Sequence, residues 1–165
     1  MDQFQQHGIH PTYLFVASGT GTQAGLEVGV RALGLDCQIV GVSPSADLDG
    51  YSSISARLAE VANWVADRLG LGFSFDAREI LNTSEYVGEG YGQVTEAGIE
   101  AIRLLARTEG ILLDPVYTSK AMAGLIDYVR RGKIGSDETV VFVHTGGTPA
   151  LFAYHKELAA SPRQP

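Results

Sequence analysis

The chain has 165 residues, of which 45% are hydrophobic and 19% charged, with 12 Lys and Arg against 19 Asp and Glu for a formal net charge of −7. That is one domain with enough apolar material for a core, which excludes a disordered tail, and the acidic balance excludes a nucleic-acid backbone as partner. The single cysteine, Cys37, excludes an internal disulfide framework and a four-cysteine zinc site.

The opening MDQFQQHGIH has neither the basic nor the apolar region of an export signal, and no run reaches the ~18 apolar residues of a membrane span. A cytoplasmic location is expected. Residues 13–17, Tyr-Leu-Phe-Val-Ala, form a continuous apolar run, as expected of a strand buried on both faces. It leads into Ser18-Gly-Thr-Gly-Thr22, after which residues 23–33 read as a helix stopped by Gly34. Residues 37–42 predict a second buried strand, with Cys37 inert inside it, broken by Ser43-Pro44-Ser45.

From 52 to 69, Ile54, Leu58, Val61, Ala62, Val65 and Leu69 recur at spacings of three and four, one helical face. Residues 73–81 are mixed and predict a short outer strand, while 85–92 are irregular, glycine-rich and carry Tyr86 and Tyr91. Thr95 caps a helix containing Ile99, Ile102, Leu105 and Ala106. Residues 110–114 predict a strand ending at Pro115, and 119–131 an amphipathic helix. Residues 139–144 are the last strand, followed by Thr145-Gly-Gly-Thr-Pro149 and a short helix through Tyr154. This alternation predicts an α/β fold, a doubly wound parallel sheet with flanking helices. It spans residues 1–158 as one domain, with a polar tail over 159–165.

In such sheets ligands bind at the carboxyl ends of the strands, where the loops 18–22, 114–118 and 144–148 fall together. Loop 18–22 has two glycines and three hydroxyl residues between a strand and a helix. Glycine lets backbone N–H groups close on an anion, and the helix start adds a favourable dipole. A bound phosphate is the functional reading, and a tight turn with a threonine cap is the bland one. The loop is neither a Walker A sequence nor a GxGxxG fingerprint. By position alone Tyr117 is a packing residue. Tyr91 shares that reading, although its flanking glycines favour exposure at a cleft. His144 reads as a satisfied core histidine, and with no ligand set around it no metal site is expected.

Four segments together resemble one family: Ser18-Gly-Thr-Gly-Thr-Gln-Ala-Gly25, Gly90-Tyr-Gly92, Leu113-Asp-Pro-Val-Tyr-Thr-Ser-Lys-Ala-Met-Ala-Gly-Leu-Ile126 and His144-Thr-Gly-Gly-Thr-Pro-Ala-Leu-Phe152. They look like the C-terminal half of the D-cysteine desulfhydrase and 1-aminocyclopropane-1-carboxylate deaminase family. These are fold-type II pyridoxal-phosphate enzymes, relatives of the tryptophan synthase β chain. The resemblance runs from about Gly8 to Tyr154 and implies pyridoxal 5'-phosphate as cofactor and a small amino acid as substrate.

The resemblance also assigns roles. Ser18, Gly19, Thr20, Gly21 and Thr22 would grip the cofactor phosphate, Thr145 would approach the pyridine nitrogen, and Tyr117 and Tyr91 would face the substrate. Thr118 joins the cofactor set, because the deaminase branch has Glu there and an apolar residue where Thr145 stands. Both threonines therefore point to D-cysteine desulfhydrase-like elimination, giving pyruvate, sulfide and ammonia. Deaminase-like activity and a non-catalytic phosphate- or nucleotide-binding module are the alternatives. In the family the lysine that binds the cofactor lies in the N-terminal half. Lys120, Lys133 and Lys156 are expected to be solvated and none to serve in its place. The expected partners are therefore that missing half or a neighbouring polypeptide, with a homodimer in the full-length family and no turnover by the chain alone.

Overall fold

The two-residue period of an extended chain sends Phe15 and Ala17 of β1 (Tyr13–Ala17) to one face and Leu14 and Val16 to the other, and all four are buried. The structure, a computed structural model, describes residues 2–48 and 50–159. Around β1 it assembles β2 (Gln38–Val42), β3 (Leu81–Thr83) and β4 (Val140–Val143) into a parallel sheet of order β3-β2-β1-β4. Phe15 stands opposite Val40 on one side and Phe142 on the other.

The helices are α1 (Asp2–Gln6), α2 (Gly21–Ala32), α3 (Ile54–Arg68), α4 (Glu96–Thr108), α5 (Thr118–Arg130), α6 (Ala150–Ala153) and α7 (His155–Ala159). Leu26 and Val30 of α2 cover Leu14, Val16 and Ile39, and α3 backs α2 through Leu58 and Ala62 against Ala24 and Val28. On the other face Ala121, Leu125 and Tyr128 of α5 cover Phe15 and Val42, with the Phe15 and Tyr128 rings edge to face at 5.4 Å. Helix α4 closes that side, packing Ala101 and Ile102 against Met122 and Ala123. The expected doubly wound parallel sheet with helices on both faces is the fold observed. Among the described residues no helix is long and apolar enough to cross a membrane.

Three local expectations differ. Residues 110–114 form no strand: Leu113 is buried against α4 and α5, and Pro115 and the Asp114 carboxylate close the chain into a turn that starts α5. The outer strand falls at 81–83 rather than 73–81, because Asp76 and Glu79 form a capping box around a short 3₁₀ turn at 77–79. Cys37 precedes β2 and is half-buried, its thiol pushed up chiefly by that burial. The predicted polar tail lies outside the described residues beyond Ala159. What the fold does for function is simple: β1, β2 and β4 end side by side, delivering Ser18, Ser43 and His144 to one edge.

Candidate functional site

Loop 18–22 is built from behind. Ser18 N–H donates to the Val42 carbonyl at 3.0 Å, carrying the β1–β2 pairing one residue past the strand. The Ser18 carbonyl accepts from Asn82 Nδ2 at 2.7 Å, and the Gly19 carbonyl accepts from Arg57 Nε at 3.0 Å. A trans peptide points C=O and N–H in opposite directions, so the Gly19 amide faces away from Asn82. The Ser18 hydroxyl turns inward and accepts from the N–H groups of Gln23 at 3.0 Å and Thr20 at 3.3 Å, capping α2. Thr20, Gly21 and Thr22 are exposed at the helix start, where first-turn N–H groups have no intrahelical acceptor and the helix dipole is positive.

Behind the loop lies an amide network that the sequence did not suggest. Gln23 is fully buried and bonds the Leu81 carbonyl at 3.0 Å and Glu27 at 3.1 Å, while Asn82 Nδ2 donates to Gln23 Oε1 at 2.8 Å. Room for it comes from Gly41 in β2, where a Cβ would stand 1.7 Å from Gln23 Oε1. The glycine is there to admit a side chain from α2 against the sheet.

The second loop is organised by Asp114, also fully buried. Its carboxylate accepts the N–H groups of Val116 and Tyr117 at 2.8 Å and of Thr118 at 2.7 Å, plus the Thr118 hydroxyl at 2.7 Å. Hydrogen bonds to a charged group contribute about 1.5–3 kcal/mol each, so this turn is rigid and presents Tyr117 at a set angle. Asp-Pro with a threonine four residues after the aspartate is the signal that could have found it.

The third loop docks on the second through a glycine. Gly147 has φ +89°, and a Cβ there would lie 2.7 Å from Asp114 Cγ. His144 is exposed rather than a core histidine, because β4 is an edge strand whose end opens to solvent. It accepts the Gly146 N–H at Nδ1 (3.2 Å) and reaches the Leu112 carbonyl with Nε2 (2.9 Å), which assigns the Nε2–H tautomer and braces the turn.

The three loops enclose a cavity of about 290 Å³ lined by residues 17–20, Thr22, Pro44, Tyr117 and residues 145–147. Ser18, Gly19, Thr20, Thr22, Tyr117 and Thr145 are thus brought together, with Gly21 at the adjoining helix start. No charged side chain lines it, so its polar character is hydroxyl and amide. Tyr91 reaches the rim from the 84–94 loop: its hydroxyl touches that of Tyr117, and the rings meet edge-on at 5.9 Å. That hydrogen bond, helped by partial burial, pushes the Tyr117 phenol up to about 12.

Two expectations change here. Thr118 is buried outside the cavity, its hydroxyl engaged by Asp114, which it bonds because the turn places it directly over the carboxylate. Lys133 and Lys156 are exposed as expected. Lys120 is not: it is fully buried, with Nζ donating to the carbonyls of Val87 at 2.8 Å and Gly90 at 3.1 Å. The inward-facing side of α5 takes the lysine because two loop carbonyls await a donor there.

Comparison with known proteins gives a family model described as pyridoxal-phosphate dependent enzyme, matching residues 1–146. A crystal structure of a homologue of ACC deaminase (1-aminocyclopropane-1-carboxylate deaminase) is similar at TM-score 0.78 and 33% identity, over 91% of this chain and 44% of that one. The processed form of threonine deaminase isoform 2 from Solanum lycopersicum shares the fold, at TM-score 0.55 and 20% identity, over 97% of this chain and 48% of that one. The chain spans about half the length of each.

Proposed function

The chain belongs to the family of pyridoxal-phosphate dependent enzymes, and on that premise we propose that it is the part of a lyase that grips the cofactor phosphate. The reaction it serves is D-cysteine desulfhydrase-like elimination, from D-cysteine to pyruvate, sulfide and ammonia. The observation that carries the reading is the meeting of loop 18–22, Tyr117 and residues 145–147 around one cavity. Its size is near the lower end of small-molecule sites, roughly 300–1,000 Å³.

The residues present fit a phosphate. Amides at the start of α2 and the Thr20 and Thr22 hydroxyls supply donors, and Gly21 leaves open space where any side chain would stand. Bound there, pyridoxal phosphate supplies a conjugated ring that takes up electrons released from a breaking substrate bond. Thr145, on the cavity wall, would offer the ring nitrogen a neutral hydroxyl, which would temper that electron demand and suit loss of a good leaving group such as a thiol. Tyr117 keeps its phenolic proton at neutral pH, since its phenol lies near 12. It donates to substrate rather than acts as a base, and Tyr91 faces the substrate beside it. None of the three lysines lines the cavity, so turnover draws its amine from a lysine-bearing half outside these residues.

Deaminase activity is the second reading, favoured by the similarity to the ACC deaminase homologue. The test begins with inorganic phosphate and pyridoxal phosphate competing for the purified chain. Gly21→Val should abolish both while the fold survives, and binding indifferent to that substitution would remove the assignment. Supplied with the family's lysine-bearing half, the chain should yield pyruvate and sulfide from D-cysteine. Formation of 2-oxobutyrate from 1-aminocyclopropane-1-carboxylate instead would select the deaminase.

A further inference from the structure

Lys120 is a fully buried cation that neither the cavity nor the core requires. Its ammonium has no carboxylate within bonding distance among the described residues. Instead it donates to the carbonyls of Val87 and Gly90, two residues of the loop that carries Tyr91.

Before Val87 the loop is tied to α5 by the Tyr86 hydroxyl, which donates to Asp127 Oδ2 at 2.7 Å, and the Tyr86 ring packs against the core. The stretch from Val87 to Gly92 that carries Tyr91 has fewer polar anchors. Residues 84–94 form no helix or strand. Their own backbone bonds are two turn contacts, Val87 N–H to the Ser84 carbonyl and Gln93 N–H to the Gly90 carbonyl. Val87 is buried, whereas Gly88, Glu89 and Tyr91 are exposed. Beyond Lys120 the outer anchor is the Tyr154 hydroxyl, which donates to the Gly92 carbonyl at 2.9 Å. Lys120 and Tyr154 therefore bracket Tyr91, one residue before it and one after.

We infer that Lys120 is a positioning residue: from α5 it clamps the 87–90 backbone so that the Tyr91 hydroxyl rests against Tyr117 at the cavity rim. The helix supplies both ends of the arrangement, since Tyr117 caps its start and Lys120 lies one turn inside it. Helix and loop thus set the tyrosine pair as a unit. Two loop carbonyls, one buried and one partly buried, explain why the position holds a lysine. An apolar side chain would leave the Val87 carbonyl without a donor and the Gly90 carbonyl with only the Gln93 N–H, and the loop would swing them out to water. The importance of the pair for substrate rests on the function proposed above, but the clamp itself does not.

The experiment uses the chain labelled with 3-fluorotyrosine, the Tyr91 and Tyr117 resonances being assigned with Tyr91→Phe and Tyr117→Phe. Lys120→Met keeps the stem length and removes the donor. It should move the Tyr117 resonance to where Tyr91→Phe puts it, and adding Tyr91→Phe should then shift it no further. Amide exchange over residues 86–93 should rise about tenfold or more while β1 and α5 stay protected. If Tyr117 keeps its wild-type resonance and still answers to Tyr91→Phe, the clamp is wrong. Lost protection throughout α5 overturns it as well, making Lys120 a packing residue. Should Lys120→Met not fold, Lys120→Gln, with two donors on a shorter stem, is read by the same two criteria. Inorganic phosphate binding is measured alongside: its absence in the wild-type chain sinks the proposed function and leaves the tyrosine readout intact.

Discussion

Replacing Gly147 by alanine adds a single carbon where two of the site's loops touch. The new Cβ would lie 2.7 Å from Asp114 Cγ, 2.9 Å from Asp114 Cβ and 3.0 Å from its Oδ1. Asp114 is a poor neighbour to displace, because its carboxylate accepts the N–H groups of residues 116–118. The backbone at φ +89° adds about 1–2 kcal/mol for any residue with a Cβ, and overpacking against a fixed group costs about 1–3 kcal/mol. The expected loss is roughly 2–5 kcal/mol, a large part of the ~5–15 kcal/mol that holds a domain together. Gly146→Ala is the control: its φ is +97°, yet nothing lies within 4 Å of the added carbon. It should lose only the backbone contribution, about 1–2 kcal/mol. Urea unfolding followed by far-ultraviolet circular dichroism measures both. In an Asp114→Ala background the Gly147→Ala loss should shrink, since both changes unseat the same turn. Equal losses for the two glycine variants would refute the docking of the third loop on Asp114.

Thr118→Val keeps the buried shape and deletes two hydrogen bonds to Asp114, so a loss of about 2–4 kcal/mol is expected by urea unfolding, with phosphate binding retained. Loss of phosphate binding at unchanged stability would instead return Thr118 to the cavity. Asn82→Ala removes the donor to the Ser18 carbonyl; it should cost about 1–2 kcal/mol and weaken phosphate binding, read by titration calorimetry. The Tyr117 phenol, raised from about 10 to about 12 by its bond to Tyr91, contributes stability that is fully present below pH 10 and lost as pH climbs to 12. Across that window the stability of Tyr117→Phe should fall less steeply than that of the wild type, measured by urea midpoints at several alkaline pH values.

Local chemistry determined much of this protein before any tertiary contact was known. The apolar run at 13–17, the three-and-four spacing of Ile54 to Leu69 and the Thr95 cap each depend on residues within one element, and strand, helix and cap stand where those residues predict. Parallel pairing follows from their alternation, and the meeting of loops 18–22 and 144–148 follows from parallel pairing, whereas loop 114–118, which follows no strand, joins them through Gly147 against Asp114. Tertiary structure decided what depends on a partner far away in the chain. Residues 110–114 carry the apolarity of a strand, but Leu113 satisfies it against Ile102 and Met122, and the Asp114 carboxylate captures the next amides. Thr118 and Lys120 look equally polar in sequence. One hydroxyl is claimed by a carboxylate four residues back, and one ammonium by carbonyls about thirty residues earlier, at Val87 and Gly90. Gly41 and Gly147 are ordinary letters until Gln23 and Asp114 arrive against them. A period or a cap is a property of neighbouring residues, whereas burial and hydrogen-bond partnership belong to pairs that only the closed fold brings within 3 Å of each other.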